Sequence, residues 1–362
     1  MKVALGLSGG VDSAVSLQLL QKQGHDVHAV FLECWRAPGC RAEEDRKDAL
    51  GVALKSGVTF TVLDFKQAYR EKVVEYFFKE YAAGRTPNPD VMCNKEIKFG
   101  LFYDWAMKEG FDAVATGHYA QIQGVDCEAS DVHALQKHWA LKMSADSHKD
   151  QTYFLYRLRQ DQLPHVLFPI GHLRKEEVRK LATTFDIPVA QKPDSQGICF
   201  IGEINVHNFI KERLGENPGN VVDTKGRVIG SHKGLWFYTI GQRHGFDSAF
   251  TIPKDESIDK HAIPPFYVIR KDKDRNELVV GFGAETYQDT FFLQDVNWIT
   301  DTNSGNDMFV RLRHTGKLIP CTLSIENGEV HVILHEAVQG IAQGQSAVFY
   351  KNGICLGGGI IQ

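Results

Sequence analysis

The segment Gly6-Leu7-Ser8-Gly9-Gly10-Val11-Asp12-Ser13 leaves this chain few folds to choose from. It follows the apolar run Val3-Ala4-Leu5 and precedes an amphipathic stretch that reads as a helix. Two adjacent glycines let the backbone turn sharply and approach a ligand without a Cβ clash. Ser8, Asp12 and Ser13 put side-chain oxygens at a helix start, where free N–H groups favour an anion. Strand, glycine turn and helix in this order predict an α/β unit that takes a phosphate-bearing ligand. The loop is not a Walker A motif, because no lysine follows Gly10.

Ser8-Gly9-Gly10-Val11-Asp12-Ser13 instead resembles the PP-loop of the ATP pyrophosphatases. That resemblance implies adenylation of a substrate oxygen with release of pyrophosphate. The next 120 or so residues keep the alternation. Val27 to Leu32 reads as a buried strand, and a polar helix follows with Leu50 and Leu54 on one face and Gly57 as its stop. Val58 to Leu63 is β-branched, and Tyr69, Val73, Phe77 and Tyr81 mark the inner face of a helix ended by Gly84. Asp112 to Thr116 is another strand, closed by Gly117-His118-Tyr119. Such order predicts a doubly wound parallel sheet with ligands at the strand C-terminal ends.

Helices near Gln151 to Arg157 and Lys175 to Phe185 continue this first unit, and Val125 to Trp139 reads as an irregular excursion. The texture changes near Gly202, and from Pro264 the chain reads as all-β. Asn327-Gly328 and Asn352-Gly353 are hairpin signals. The expected architecture is an α/β PP-loop domain of the adenine nucleotide alpha-hydrolase-like kind over 1–202, a small central domain over 203–265 and a C-terminal β-barrel over 266–362.

A chain of 362 residues supports two or three such domains. Net charge is −4, from 41 basic against 45 acidic side chains, which excludes a basic coat but not a local basic groove. No apolar run approaches a membrane span, and no basic-then-apolar leader is visible, so a cytoplasmic protein is expected. The seven cysteines are scattered without a C-x-x-C, so no zinc ribbon, ferredoxin-type cluster or other metal site is expected. Cys34 and Cys40 read as loop residues, and Cys127 as a residue without function.

Two cysteines stand apart. Cys93 lies in Thr86-Pro87-Asn88-Pro89-Asp90-Val91-Met92-Cys93-Asn94-Lys95, a loop stiffened by two prolines. Helix-start N–H groups with Lys95 and Lys98 would favour its thiolate. Cys199, between Ile198 and Phe200, reads equally as a core residue or a reactive thiol.

Along essentially its whole length the chain resembles the tRNA-specific 2-thiouridylases, the MnmA family. The resemblance rests on the PP-loop, on Asn88-Pro89-Asp90 with Cys93-Asn94-Lys95, and on Ala115-Thr116-Gly117-His118-Tyr119. It continues in Lys149-Asp150-Gln151 with Tyr153-Phe154-Leu155, and in Asp194-Ser195-Gln196 with Ile198-Cys199-Phe200. Thr239-Ile240-Gly241-Gln242-Arg243-His244-Gly245 and Gly344-Gln345-Ser346-Ala347-Val348-Phe349-Tyr350 complete it. It implies ATP, with Mg²⁺, along Gly6, Leu7, Ser8, Gly9, Gly10, Val11, Asp12 and Ser13, with Leu32 and Gly117 near the adenosine. It implies that the 2-oxygen of a wobble uridine is adenylated and replaced by sulfur. Cys199 would carry that sulfur as a persulfide, and Cys93 would be the nucleophile that resolves it in a disulfide with Cys199. Asp90 would be an acid/base group, and Asn88, Pro89 and Asp90 would meet the target base. His118, Lys149, Asp150, Gln151, Arg311, Leu312 and Gln345 would touch tRNA. A cysteine desulfurase or a sulfur-relay protein would supply sulfur.

Leu312 departs from the family, where an aromatic residue is familiar. Arg311 and Arg313 have the spacing of one strand face and suit either a solvated face or a basic strip. Two other readings stay open here. An amide synthetase with a PP-loop would need neither Cys93 nor Cys199, and a non-catalytic RNA-binding protein would need no intact Asp12-Ser13.

Overall fold

In the computed structural model, residues 1–36, 40–125, 138–194, 197, 199, 205–246, 265–300, 308–326 and 329–362 are described. Cys127, Ser195, Gln196, Ile198, Phe200 and the Asn327-Gly328 turn lie outside them.

The apolar run at the N-terminus forms β1 (Lys2–Gly6), and the glycine turn leads into α1 (Val11–Lys22). Then come β2 (Asp26–Glu33), α2 (Ala42–Ser56) and β3 (Phe60–Asp64). Helical segments Lys66–Tyr69 and Arg70–Val74 run into α3 (Glu75–Ala82). After a tight connection, α4 (Pro89–Cys93) continues through Asn94–Phe102 and Tyr103–Lys108. Strands β4 (Ala113–Ala115), β5 (Ala120–Val125), β6 (His138–Met143) and β7 (Val166–Leu167) and helix α5 (Lys175–Thr184) complete the first unit. Its parallel sheet has the order β3-β2-β1-β4-β7. The order turns back between β1 and β4, so a crevice opens past the ends of these two strands. Val3, Leu5 and Ala29 face α1 in one core, while Ala4, Val30 and Val114 face the helices on the other side.

One expected face is turned outward. Leu50 is 40% and Leu54 71% exposed, while Ala49, Val52 and Ala53 are buried. Small side chains let α2 lie close on β2 and α1, and the larger leucines do not fit that gap.

Beyond α6 (Val206–Leu214), β8 (Gly219–Val222), β9 (Val228–His232), β10 (Tyr267–Asp272) and β11 (Glu277–Gly281) make one sheet of order β10-β11-β8-β9. The central unit therefore runs past the expected boundary at 265, because β10 and β11 pair with β8 rather than with the barrel. The barrel is built from β12 (Tyr287–Trp298), β13 (Met308–Arg311), β14 (Ile319–Glu326), β15 (Glu329–Gln339), β16 (Ser346–Lys351) and β17 (Ile354–Ile361). Pairing of β12 with β17 closes it. The β5–β6 hairpin of the first unit adds to the same sheet, with Cys355 opposite Leu141. The expected α/β unit followed by a small central domain and a β-barrel is thus realised, with this hairpin as an added seam.

Candidate active site

The glycine turn is held by its own backbone. Gly9 has φ +76°, and a Cβ there would lie 2.2 Å from the Asp45 carbonyl oxygen. A Cβ on Gly117, just past β4, would lie 2.7 Å from the Ser13 nitrogen. Glycine at these two positions lets the end of β4 close against the start of α1. Ser8 N–H donates to Ser13 Oγ at 3.2 Å, and Ser13 Oγ donates to the Gly10 carbonyl at 3.1 Å. Gly10 caps α1 without a side-chain bond, which leaves first-turn N–H groups for an anion.

Cations that the glycine motif does not announce surround this turn. Lys175, at the start of α5, bonds both Asp12 oxygens at 2.7 and 2.9 Å. Lys192 reaches the Gly9 carbonyl at 3.0 Å and Asp45 at 2.7 Å. Asp194 sits among Lys149, Lys175 and Arg179. Burial opposes its charge, but the lysine hydrogen bonds hold its carboxyl well below the usual range. Lys175 and Arg179 lie one turn apart on α5, a spacing visible in the sequence, but only the fold brings them to the loop. These groups fit a polyphosphate. Asp12 accepts from Lys175 through both oxygens and from the Tyr119 hydroxyl at 3.0 Å. Among the described residues no cluster of three His, Cys, Asp or Glu side chains could hold a metal ion.

A second centre lies where α4 meets the segment at Cys199. Asn88 caps α4, its side-chain oxygen accepting from Val91 N–H at 3.2 Å. Pro89 fills the first turn, where its missing N–H costs nothing. Asp90 is thereby aimed at Cys199, whose N–H donates to Asp90 Oδ1 at 2.9 Å. The Tyr69 hydroxyl donates to the Cys199 carbonyl at 2.6 Å. Burial raises the Asp90 pKa, and the Cys199 N–H pulls it back.

The two thiols meet here, and the expectation for their charges is reversed. Cys93 is the last residue of α4, not a residue at a free helix start, because helix continues through Asn94–Phe102. Cys93 is wholly buried, and Lys95 turns to Glu96. Burial pushes the Cys93 thiol well up, and its bond to Cys199 pushes it further. Cys199 instead is lowered to about 7, by the Cys93 thiol as donor and by Lys98 against the penalty of burial. Burial opposes the Lys98 charge, but Cys199, Cys93 and Asp90 hold it protonated. His118, wedged between Thr116 Oγ1 at 2.7 Å and Lys98 Nζ at 3.4 Å, is kept neutral by burial and by Lys98. One prediction follows for the thiolate. Its fraction rises with pH through about 7, so iodoacetamide should modify Cys199 with a midpoint there. Lys98→Met should move that midpoint toward the ordinary thiol range, read by mass spectrometry of the Cys199 peptide.

Next to Asp90 a cavity of about 270 Å³ opens between the first unit and the barrel, walled by Phe77, Tyr81, Pro87, Asn88, Phe154 and His314. Gln345 spans its rim, donating to the Thr86 carbonyl at 3.1 Å. Several residues expected at tRNA are not at the surface. Asp150 is 1% and Arg311 6% exposed, and they pair at 2.8 Å between the first unit and the barrel. Leu312 and His118 are buried as well. Arg311 ends β13, so Arg313 leaves the strand and is exposed, and the two do not form one strip. Lys149 stays half-exposed, bonded to Asp194, and Gln151 accepts from Tyr119 N–H at 2.9 Å.

A parallel sheet with this glycine turn at its switch point, followed by two β modules, defines an ATP-binding PP-loop protein with a thiol pair beside the nucleotide crevice. Residues 1–203 match a family described as "tRNA methyl transferase HUP domain". Residues 207–282 match a "tRNA methyl transferase PRC-barrel domain", and 288–361 an "Aminomethyltransferase beta-barrel domain". A tRNA-specific 2-thiouridylase MnmA of Chromobacterium violaceum is 41% identical over 100% of this chain and 92% of its own. That of Listeria innocua is 41% identical over 100% of this chain and 94% of its own. That of Psychromonas ingrahamii is 40% identical over 100% and 97%. The chain belongs to the tRNA-specific 2-thiouridylase family, MnmA.

Proposed function

We propose that this chain replaces the 2-oxygen of the wobble uridine in tRNA by sulfur, with ATP split to AMP and pyrophosphate. The observation that carries this reading is the Cys93–Cys199 pair, tied through the Cys199 N–H to Asp90 on the lining of a cavity of about 270 Å³, with Lys98 holding Cys199 toward thiolate. The matched domain descriptions speak of methyl transfer, but paired thiols of split acidity serve sulfur transfer.

ATP bound along Gly6 to Ser13, with Lys175 and Lys192 at its phosphates, supplies the adenylyl group that makes the 2-oxygen a leaving group. Mg²⁺, brought with ATP, would neutralise phosphate charge at this turn. The uridine enters the cavity at Asn88, Pro89 and Asp90. Cys199 receives sulfur as a persulfide from a cysteine desulfurase or a relay protein. Its outer sulfur bonds C2 as AMP leaves, or is first released as sulfide. In either order the Cys93 thiol attacks Cys199 Sγ, the cleaved S–S bond leaves its electron pair on the outgoing sulfur, and the thiol proton passes to that sulfur or to the base. The two thiols become a disulfide, which supplies the two electrons by which persulfide sulfur becomes a thiocarbonyl. An external dithiol then reduces the pair. Asp90, its pKa raised by burial, accepts and returns the proton at the base in this reading. Lys149, Gln151 and Gln345 are the contacts that remain open to tRNA. Among the described residues no helix is long and apolar enough to cross a membrane, and a cytoplasmic location belongs to this proposal.

The test incubates the chain with tRNA, Mg-ATP and a sulfide donor, then digests the tRNA. A nucleoside of 2-thiouridine mass is expected, formed with stoichiometric AMP. Pyrophosphate release onto a small carboxylate without thiolated tRNA would favour the amide-synthetase alternative.

A further inference from the structure

Sequence reading passes over His314, yet it lines the same cavity as Asn88, Pro89 and Asp90. It sits three residues beyond the end of β13, and its ring packs on Phe154 with centroids 4.3 Å apart at 34°. Among the described residues neither ring nitrogen has a hydrogen-bond partner. Nδ1 is buried without one, and Nε2 is the nitrogen left to the cavity. An imidazole locked between rings with an open nitrogen is costly to keep unless a ligand completes it.

Burial lowers the His314 pKa against the nearby Asp150, so the ring is neutral and carries one donor. A buried N–H without an acceptor is costlier than a bare lone pair, which places the proton on Nε2. His314 thus offers an N–H donor to the cavity that Asp90 also lines. In a uracil whose 2-carbon faces Asp90 and Cys199, the other carbonyl of the ring, at the 4-position, points away from them. Cytosine has an amino donor at that position, which would meet the His314 donor head on.

We propose that His314 reads the 4-position of the bound pyrimidine, accepting the carbonyl of uracil and rejecting the amino group of cytosine. This rests on the thiouridylase reading of the same site. Failure of that reading is recognised in wild type alone, before any variant is compared.

The experiment uses tRNA transcripts differing only at the wobble position, uridine or cytidine, with Mg-ATP and sulfide. Thiolated nucleosides are read by mass for wild type, His314→Ala, His314→Gln and His314→Asn. Glutamine puts its amide N–H near the place of Nε2, whereas asparagine ends near Nδ1. His314→Ala should lose about tenfold or more in kcat/KM on the uridine tRNA and narrow the preference over cytidine. His314→Gln should restore most of both, and His314→Asn should not. Equal behaviour of the glutamine and asparagine variants, or an unchanged preference in His314→Ala, would overturn the assignment. No thiolation of either tRNA by wild type would overturn both readings together.

Discussion

With a cysteine desulfurase and cysteine as the sulfur source, serine at Cys199 should abolish formation of 2-thiouridine while ATP still binds with unchanged affinity. The two outcomes separate because the thiol and the glycine turn belong to different parts of the crevice. Gly9, Gly10 and Ser13 are held by bonds among themselves, to Ser8 and to Lys192, none of which involves Cys199. A serine hydroxyl cannot carry a persulfide, and it is far less acidic than a thiol lowered to about 7. Cys93→Ser should also stop turnover, but with a different residue of chemistry. Its Cys199 should still charge and hold sulfur, because Lys98 remains beside it. Mass spectrometry should find a mass gain of one sulfur on the Cys199 peptide of this variant and none on that of Cys199→Ser. Wild-type rates in either variant would defeat the two-thiol mechanism.

The second large effect concerns stability. Asp150 accepts hydrogen bonds from Ser144 N–H at 3.0 Å, Thr152 Oγ1 at 2.8 Å and Arg311 Nη1 at 2.8 Å, all out of water. Arg311 also lies over the Tyr350 ring, 5.1 Å from its centroid. Removing one ion of a buried pair leaves the other charged and unanswered, a cost of about 3–5 kcal/mol. Arg311→Met should therefore lower unfolding stability by that order in urea titrations. Because the pair joins the first unit to the barrel, the loss should appear as separation of one transition into two. Arg311→Met with Asp150→Asn together should recover a large part, since a neutral amide needs no counter-ion. A single variant indistinguishable from wild type would show that water reaches the pair.

The nucleotide crevice was legible because its determinants are local. A strand, a glycine turn and a helix within thirteen residues carry their geometry with them. The Cys93 loop was legible for a similar reason, since Asn88 and Pro89 start a helix by their own chemistry. The acidity of the thiols was not. It depends on whether helix stops or continues at Cys93, and the apolar Ile97 and Phe99 carry it onward into the core. Lys98 faces the thiols from one side and His118 from the other, a meeting twenty residues apart in sequence. The Asp150–Arg311 pair spans 161 residues, and each partner alone looks like a surface charge. In α2, residue size misled the reading. Leucines signal burial by their area, but the space over β2 admits only alanine and valine.

The seam between β6 and β17 bears on how the chain is made. Residues 138–143 leave the ribosome long before residues 354–361 that pair with them. Thr86 N–H likewise waits for the Gln343 carbonyl, and the rim of the base cavity waits for Gln345. The parallel sheet needs no residue beyond 167, whereas the cavity beside Asp90 waits for His314 and Gln345. A polypeptide cut short before residue 343 would keep the glycine turn and both cysteines but lack the Gln345 rim. Thr86 and Gln345, 259 residues apart, complete that rim only together.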